Sequence, residues 1–318
     1  MSIAENSNIL ISIVIPVKNG GRWIERCISN IINQSLFPLS EIIVIDSGST
    51  DNTIEILKKY SVQVHTIQPE AFNHGLTRNK GVELSTGQYV VMTVQDAWPA
   101  DKHWLQKLLD GFTDDLVAGV CGEQLVPHTE EFSPLEWHVP QTDTKVKRYH
   151  FNTAAEFQQL TPNEKRRAGS WDNVTAMYKK EALINIPFEE TVYAEDVIWA
   201  VTALKSGYAL VYNPTAIVYH HHFESEEYTY NRTLLGLHYR HKYFGTAYRE
   251  ATPSRKLLRL KRLLFSGLPP AKIIFWLKYY FNKRKQARAA HKTFTSLSLQ
   301  RTDTRINGVG FGPQKNGM

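Results

Sequence analysis

The sequence predicts an α/β fold, an open and mostly parallel sheet with helices packed on its faces, followed by a basic helical region. Three observations carry that expectation. Short apolar runs alternate with segments whose apolar residues recur at helical spacing from Ile9 to Cys121. The runs are almost continuously apolar, which suits strands buried on both faces and joined by right-handed crossovers. Several of them end in small, amide or acidic residues, and in such a sheet the strand ends gather along one edge where ligands bind.

Ile9–Val17 is the first strand, apolar except for Ser12, and it ends in Pro16, Val17, Lys18 and Asn19. Arg22–Gln34 follows as a helix with Trp23, Cys27, Ile28, Ile31 and Ile32 on one face. Glu41–Asp46 is the second strand. It runs into Ser47, Gly48 and Ser49, small residues that permit close backbone approach, and then Thr50 or Asp51 can cap a helix reaching about Tyr60. Val62–Ile67 is a third strand and Leu76–Leu84 a helix. The fourth strand, Gln88–Val94, runs straight into Gln95 and Asp96 and is expected to stop before Pro99. An acid at that strand end suits a hard divalent cation, with a helix cap or a turn as the plainer alternative. Asp101–Phe112 is a helix and Leu116–Cys121 a fifth strand. Later, Glu195 and Asp196 open a helix bearing Val197, Trp199, Ala200 and Ala203, and the strand Leu210–Tyr219 leads into His220, His221 and His222.

Net charge is +6, but it is unevenly placed. Residues 251–302 hold 13 Lys and Arg and no acid, so the remainder carries 24 basic against 31 acidic residues, a balance of −7. Leu257, Leu258, Leu260, Leu263, Leu264 and Phe265, then Ile273–Leu277 and Tyr279–Phe281, interleave with these cations across a break at Gly267–Pro270. The pattern predicts two amphipathic helices lying on an anionic membrane surface, with plain packing on the domain as the competing reading. No nucleic-acid motif accompanies the patch, which argues against a nucleic-acid partner. No apolar run reaches the ~20 residues that span a bilayer. Cys27 and Cys121 sit where buried thiols belong, so no disulfide framework is expected. The N-terminus lacks a basic segment followed by a long apolar one, so no secretory signal is expected. The expected organisation is one domain over residues 1–225, a basic amphipathic helical region over 226–304 and a disordered tail over 305–318.

Six motifs stand in order along the chain: Ile13–Pro16 with Asn19, Val44–Asp51, Thr77–Asn79, Gly87–Tyr89, Gln95–Ala97 and Ala194–Val197. Together they resemble the inverting nucleotide-sugar glycosyltransferases of family 2, which have the GT-A fold, and the resemblance covers about residues 9–225. Phe72–Gly75 before Thr77–Asn79, combined with Gln95–Ala97, is similar to the rhamnosyltransferase branch that decorates bacterial surface polysaccharides.

That resemblance implies roles that physical chemistry can check. Asp46 is expected to accept from a pyrimidine N3–H while Pro16, Lys18, Asn19 and Ser47 line the nucleotide pocket; a turn-forming Asp is the alternative. Arg78 is expected to reach a nucleoside or phosphate oxygen with its forked guanidinium. His74 is expected to contact the donor, although turn chemistry alone accounts for its neighbours Asn73 and Gly75. Asp96 is the expected ligand of Mg²⁺ or Mn²⁺ on the diphosphate. The family's usual triplet has two acids, and here it reads Val94–Gln95–Asp96, so metal binding without nucleotide should be weak and Gln95 is free to bond the donor sugar or its phosphate. His220 or His222, on one side of an extended segment, is expected to touch metal, diphosphate or acceptor, against a structural role at a strand end. Asp196 is the implied general base, with Glu195 orienting it and Asn173 facing the crevice.

The implied activity is inverting, metal-dependent transfer of a sugar, best matched by L-rhamnose from dTDP-rhamnose, onto a glycan or lipid-linked glycan at the inner face of the cell membrane. A UDP-sugar donor and a non-catalytic nucleotide-sugar-binding subunit are the alternatives.

Overall fold

The computed structural model describes residues 9–129, 131–136, 144–220, 223–245 and 253–299. The described strands are β1 (Ile11–Val17), β2 (Ser40–Asp46), β3 (Gln63–Thr66), β4 (Tyr89–Met92), β5 (Ala97–Pro99), β6 (Val117–Leu125), β7 (Lys147–Tyr149), β8 (Ala176–Lys179) and β9 (Ala209–His220). They form one sheet in the order β3-β2-β1-β4-β8-β6-β9-β5, with β7 also paired to β9. The helices are α1 (Ile24–Ile32), α2 (Thr53–Leu57), α3 (His74–Leu84), α4 (Trp104–Leu109), α5 (Ala154–Gln159), α6 (Pro162–Gly169), α7 (Lys180–Asn185), α8 (Glu195–Lys205), α9 (Glu226–Phe244), α10 (Pro253–Leu264) and α11 (Pro270–Leu299).

Strands β3, β2, β1 and β4 are mutually parallel; β1, β2 and β4 carry the buried apolar runs that suit such a sheet, while β3, with Gln63, His65 and Thr66, is its exposed edge. Strand β8 reverses the pattern, running antiparallel to both β4 and β6. Its first residue, Ala176, pairs with Met92 near the end of β4 and with Cys121 in β6. The lead-in Trp171–Thr175 is thereby delivered to the edge where the parallel strands end. Strand β9 is parallel to β6 and finishes there too, with His220 opposite Ala97.

The pleat divides β1 between two cores. Ile11, Ile13, Ile15 and Val17 pack with Cys27, Ile28, Trp104 and Leu105 on one face, while Val14 packs with Met92, Tyr178 and Trp199 on the other. Each such fully buried side chain contributes about 1.5–3 kcal/mol. Helix α3 lies so close to β1 that a Cβ at Gly81 would stand 2.2 Å from Val14 Cγ1, which explains a glycine in mid-helix. Both cysteines are free and buried.

Two expectations need correction at the fourth strand. It ends at Met92, because Thr93 turns its Oγ1 to donate to Val174 O and Ala97 N closes a turn on Val94 O. Trp98 and Pro99 do not merely stop that strand; they form β5, an edge strand on β9, where a proline is tolerated. Asp96 therefore sits in the turn between two strands.

Helix α9 joins the main body, with Leu235 and Tyr239 packed on Ala194 and Ile198, and Phe244 in the core beside Val201. The expected break between two C-terminal helices falls at Gly267, whose φ of +74° suits glycine, followed by Pro269 and Pro270. Trp276, Tyr279, Tyr280 and Leu263 cluster with Leu135, and Lys283 lies 2.8 Å from Glu136 and 3.2 Å from Glu224. Among the described residues no helix is long and apolar enough to cross a membrane. The tail over 305–318 lies outside the described residues.

Candidate active site

Where β1 and β2 end side by side, two loops are laced together. Ser47 N and Oγ both donate to Val17 O, at 2.9 and 3.0 Å. Asn19, in the left-handed region at φ 50°, accepts from Thr50 N at 2.8 Å while its own N–H donates to Ser49 Oγ. Left-handed backbone is tolerated by Asn better than by most residues. The buried Asp46 carboxylate accepts from Gly48 N, Ser49 N and Ser49 Oγ, so it shapes this turn. Asp51 accepts from Gly21 N and Thr53 N, fixing the start of α2 against the α1 loop. Pro16 is half-buried at this edge and Lys18 is exposed. Gln95 reaches across from the β4–β5 turn, accepting from Lys18 N at 2.9 Å and donating to Lys18 O at 3.1 Å. Both ends of its amide are engaged with the Lys18 backbone.

On the far side of that turn, Asp96 Oδ1 lies 3.5 Å from His220 Nε2. His220 Nδ1 stands 2.8 Å from Gln124 Oε1, and the Gln124 side chain also bonds Asp172. A carboxylate can only accept, so Gln124 donates its amide N–H to Asp172 and turns its carbonyl to His220. Nδ1 therefore carries a proton, and Nε2 is the ring nitrogen that faces the Asp96 carboxylate. A carboxylate oxygen and an imidazole nitrogen set this close are a donor pair that could hold a cation between them. Among the described residues no cluster supplies three or more His, Cys, Asp or Glu ligands, so a bound ion would draw its remaining ligands from elsewhere. His222 lies outside the described residues.

The third group is built at the start of α8. Ala194 precedes it at φ 63°, ψ 30°, a strained conformation for a residue with a Cβ, costing about 1–2 kcal/mol. Beyond it Glu195 turns fully inward and Asp196 is half-buried. Glu195 Oε1 lies 3.0 Å from Arg78 Nη1, both side chains buried, and accepts from Asn173 Nδ2 at 3.2 Å. Asn173 in turn accepts from Tyr178 OH at 2.5 Å, which accepts from Trp171 Nε1 at 2.7 Å. Asp196 accepts from Val197 N at 2.7 Å and Asn173 N at 3.3 Å.

Two expectations change here. Asn173 does not face the crevice: its side chain is buried at 2% exposure, spent on Glu195 and Tyr178, and only its backbone N–H reaches Asp196. Arg78 is equally withdrawn, with Nη1 also donating to His74 O and Nε buried without a hydrogen-bond partner. The guanidinium holds the Glu195 side of the pair and offers no exposed fork to a nucleotide.

The motif Asn73–Asn79 works as a bracket between α3 and the segment leading to α8. Asn73 caps α3 through Gly75 N and Leu76 N and donates to Thr191 O. Asn79 makes a two-way amide pair with the backbone of Phe188. A Cβ at Gly75 would stand 2.0 Å from Glu189 O, so only glycine allows the approach. His74 lies within the charge field of Glu195 and Arg78 and packs edge-on against Phe72.

Electrostatics separates the two acids. Burial alone would raise Glu195, but the Arg78 guanidinium, then His74 and the Asn173 hydrogen bond, hold it below the ordinary carboxylate range. Asp196 is pushed well above that range by burial, by the Glu195 charge and by Asp172. Asp172 is itself raised by burial, against the Gln124 bond. Burial lowers His74, so its imidazole favours the neutral form. A locked anion beside a carboxyl of elevated proton affinity is the arrangement of a base with its orienting partner.

Asp172 and Gln124 are the residues that motif reading passed over. They connect the Asp96–His220 side to Asp196, since Asp172 bonds Gln124 and lies in the field of both His220 and Asp196.

The family model described as Glycosyl transferase family 2 matches residues 12–183. An O-antigen chain rhamnosyltransferase, WbaN, of Salmonella anatum is 34% identical over 66% of this chain and 66% of its own. RfbN of Salmonella typhimurium, also an O-antigen chain rhamnosyltransferase, is 31% identical over 67% and 66%. The chain thus spans just under two thirds of these relatives. Among solved structures, the mannosyltransferase PcManGT of Pyrobaculum calidifontis, in complex with GDP-Man and Mn²⁺, superposes with a TM-score of 0.57 at 16% identity, covering 92% and 88% of the two chains. TarS 1–349 of S. aureus superposes with a TM-score of 0.53 at 16% identity over 93% of each. The sheet order, the laced strand ends and these likenesses agree: the chain is a family 2 glycosyltransferase with the GT-A fold.

Proposed function

We propose that the chain transfers L-rhamnose from dTDP-rhamnose, with inversion at the anomeric carbon, to a glycan or lipid-linked glycan of the bacterial envelope. The observation that carries this reading is the run of contacts from Asp96 to His220, on to Gln124 and Asp172, whose charge in turn acts on Asp196. It supports one crevice with a leaving-group end and an acceptor end. Likeness to two rhamnosyltransferases supports the donor sugar.

At the donor end, the laced loops carrying Pro16, Lys18 and Asn19, shaped from beneath by the buried Asp46 and Ser47, bind the nucleotide. Asp96 and His220 would hold the divalent ion, Mn²⁺ suiting an imidazole ligand better than Mg²⁺. Such an ion, when bound, offsets charge on the diphosphate. At the acceptor end, Asp196 accepts the proton of the attacking hydroxyl as its oxygen bonds the anomeric carbon and the nucleoside diphosphate departs from the opposite side. Glu195, held as an anion by Arg78 and oriented by Asn173, keeps Asp196 avid for that proton. Since nucleotide sugars are made in the cytoplasm, the reaction belongs on the cytoplasmic side of the membrane.

The test is donor hydrolysis and thermal shift with dTDP-rhamnose, UDP-glucose, UDP-N-acetylglucosamine and UDP-galactofuranose, each with and without Mn²⁺. Selective stabilisation and turnover with dTDP-rhamnose is expected. Preference for a UDP-sugar would replace the donor, and an Asp196→Asn variant that turned over normally would remove the base.

A further inference from the structure

We infer that the outer faces of α10 and α11 form a docking surface for an anionic lipid bilayer. These two helices are two-sided. On α11, Trp276, Tyr279, Tyr280 and Lys283 face the body, where Lys283 meets Glu136 and Glu224, and Tyr279 OH accepts from Glu224 N. Opposite them, Ile274, Lys278, Phe281, Lys285, Arg288 and Lys292 recur at spacings of four, three, four, three and four residues, and every one is exposed. On α10, Leu263 is fully buried, while Leu257, Leu258, Lys261 and Leu264, with Phe265 just after the helix, are exposed at the complementary positions.

The inner faces alone account for packing. They leave unexplained why the outer faces carry large apolar side chains. Of 15 exposed large apolar residues among those described, seven fall between Leu257 and Phe281, and Phe265 is 84% exposed. A face that only needed solvation would be polar throughout. A protein partner would be expected to offer acids, and to leave the cations more clustered at a rim. Cations interleaved with Leu and Phe, on a segment holding no acid from 251 to 302, match instead an interface that is anionic at its surface and apolar a few ångströms beneath. A groove of about 520 Å³ runs along the same face, lined by Phe281, Arg284, Lys285, Arg288, Ala289 and Lys292, a suitable seat for lipid phosphate.

The experiment is co-sedimentation of the full chain with phosphatidylcholine vesicles, with and without phosphatidylglycerol. Binding should require phosphatidylglycerol and weaken as salt shortens the screening length from about 10 Å towards 3 Å. Leu264→Asp with Phe265→Asp should abolish binding, and Lys278→Glu with Lys285→Glu should weaken it by well over tenfold, since each cation is worth about fivefold. Melting temperature and donor hydrolysis should stay at wild-type levels in both variants, which separates this surface from the catalytic reading. Vesicle binding that ignored anionic lipid, or that both variants retained, would overturn the inference. So would tighter binding to a DNA or RNA duplex than to the anionic vesicles.

Discussion

The ion pair between Arg78 and Glu195 offers the sharpest test of how the proposed base is tuned. Both side chains are about 6–7% exposed and their charged atoms are 3.0 Å apart. Replacing Arg78 by Met leaves a buried carboxylate with only Asn173 and the field of His74 to support it, a loss of about 3–5 kcal/mol. For a chain of 318 residues that is a fall of roughly 4–8 °C in Tm. Glu195→Gln strands the guanidinium instead and should cost about as much. The double variant removes both charges, so it should be far more stable than the two single losses added together. Scanning calorimetry of the four proteins closes the cycle. The pH dependence gives an independent sign. Glu195 is held below its ordinary value of 4.5, so its contribution is present above that value and lost as pH falls through the lower folded one. The gap between wild type and Arg78→Met should therefore shrink in acid below about pH 4.5. Additive losses in the cycle, or a gap independent of acid, would refute the account.

Other perturbations bear on different parts of the site. Because Asp196 is raised above the carboxylate range, the acid limb of the rate profile should lie above pH 4, and Asp172→Asn should move it to lower pH by removing one neighbouring charge; a profile of kcat against pH checks this. Gln124→Leu releases His220 from its fixed tautomer and should weaken Mn²⁺ binding in the presence of nucleotide by about 10–100-fold, measured by calorimetry, with nucleotide binding in EDTA unchanged. Gly75→Ala drives a Cβ into Glu189 O and should cost about 1–3 kcal/mol in urea unfolding, with a drop in turnover as the segment before α8 shifts.

Placements written in local pattern were legible before folding. Asp46 closes β2, Asp96 lies in the turn after β4 and the Glu195–Asp196 pair opens α8, and the ends of parallel strands must converge. Asp172 and Gln124 were hidden because their position depends on β8 entering antiparallel between β4 and β6, a long-range choice with no local mark. Arg78 read as a nucleotide contact because its actual partner, Glu195, is 117 positions away. Nothing about Ala194 announces a left-handed residue, since alanine has no preference for that region; it is held there by burial against Leu235 and Tyr239. The exposed apolar faces of α10 and α11 were legible as amphipathic, but only the packing of Tyr279 and Lys283 shows which side is spoken for.

The missing first acid at Gln95 becomes intelligible in the same terms. A carboxylate there could accept from Lys18 N but could not donate to Lys18 O, and it would set two acceptors against each other about 3 Å apart. The glutamine satisfies both backbone groups and lies against Gly20, where a Cβ would come within 2.8 Å of its Oε1. It therefore fastens the end of β1 to the turn that carries Asp96, a structural task a second acid could not perform. On the proposed reading that leaves one fewer negative ligand, and His220, held by Gln124 beside Asp96, stands where its Nε2 would supply a replacement donor. On that reading, a site assembled this way would have less charge to hold a bare ion and would depend more on the donor's diphosphate, tying metal capture to arrival of the donor.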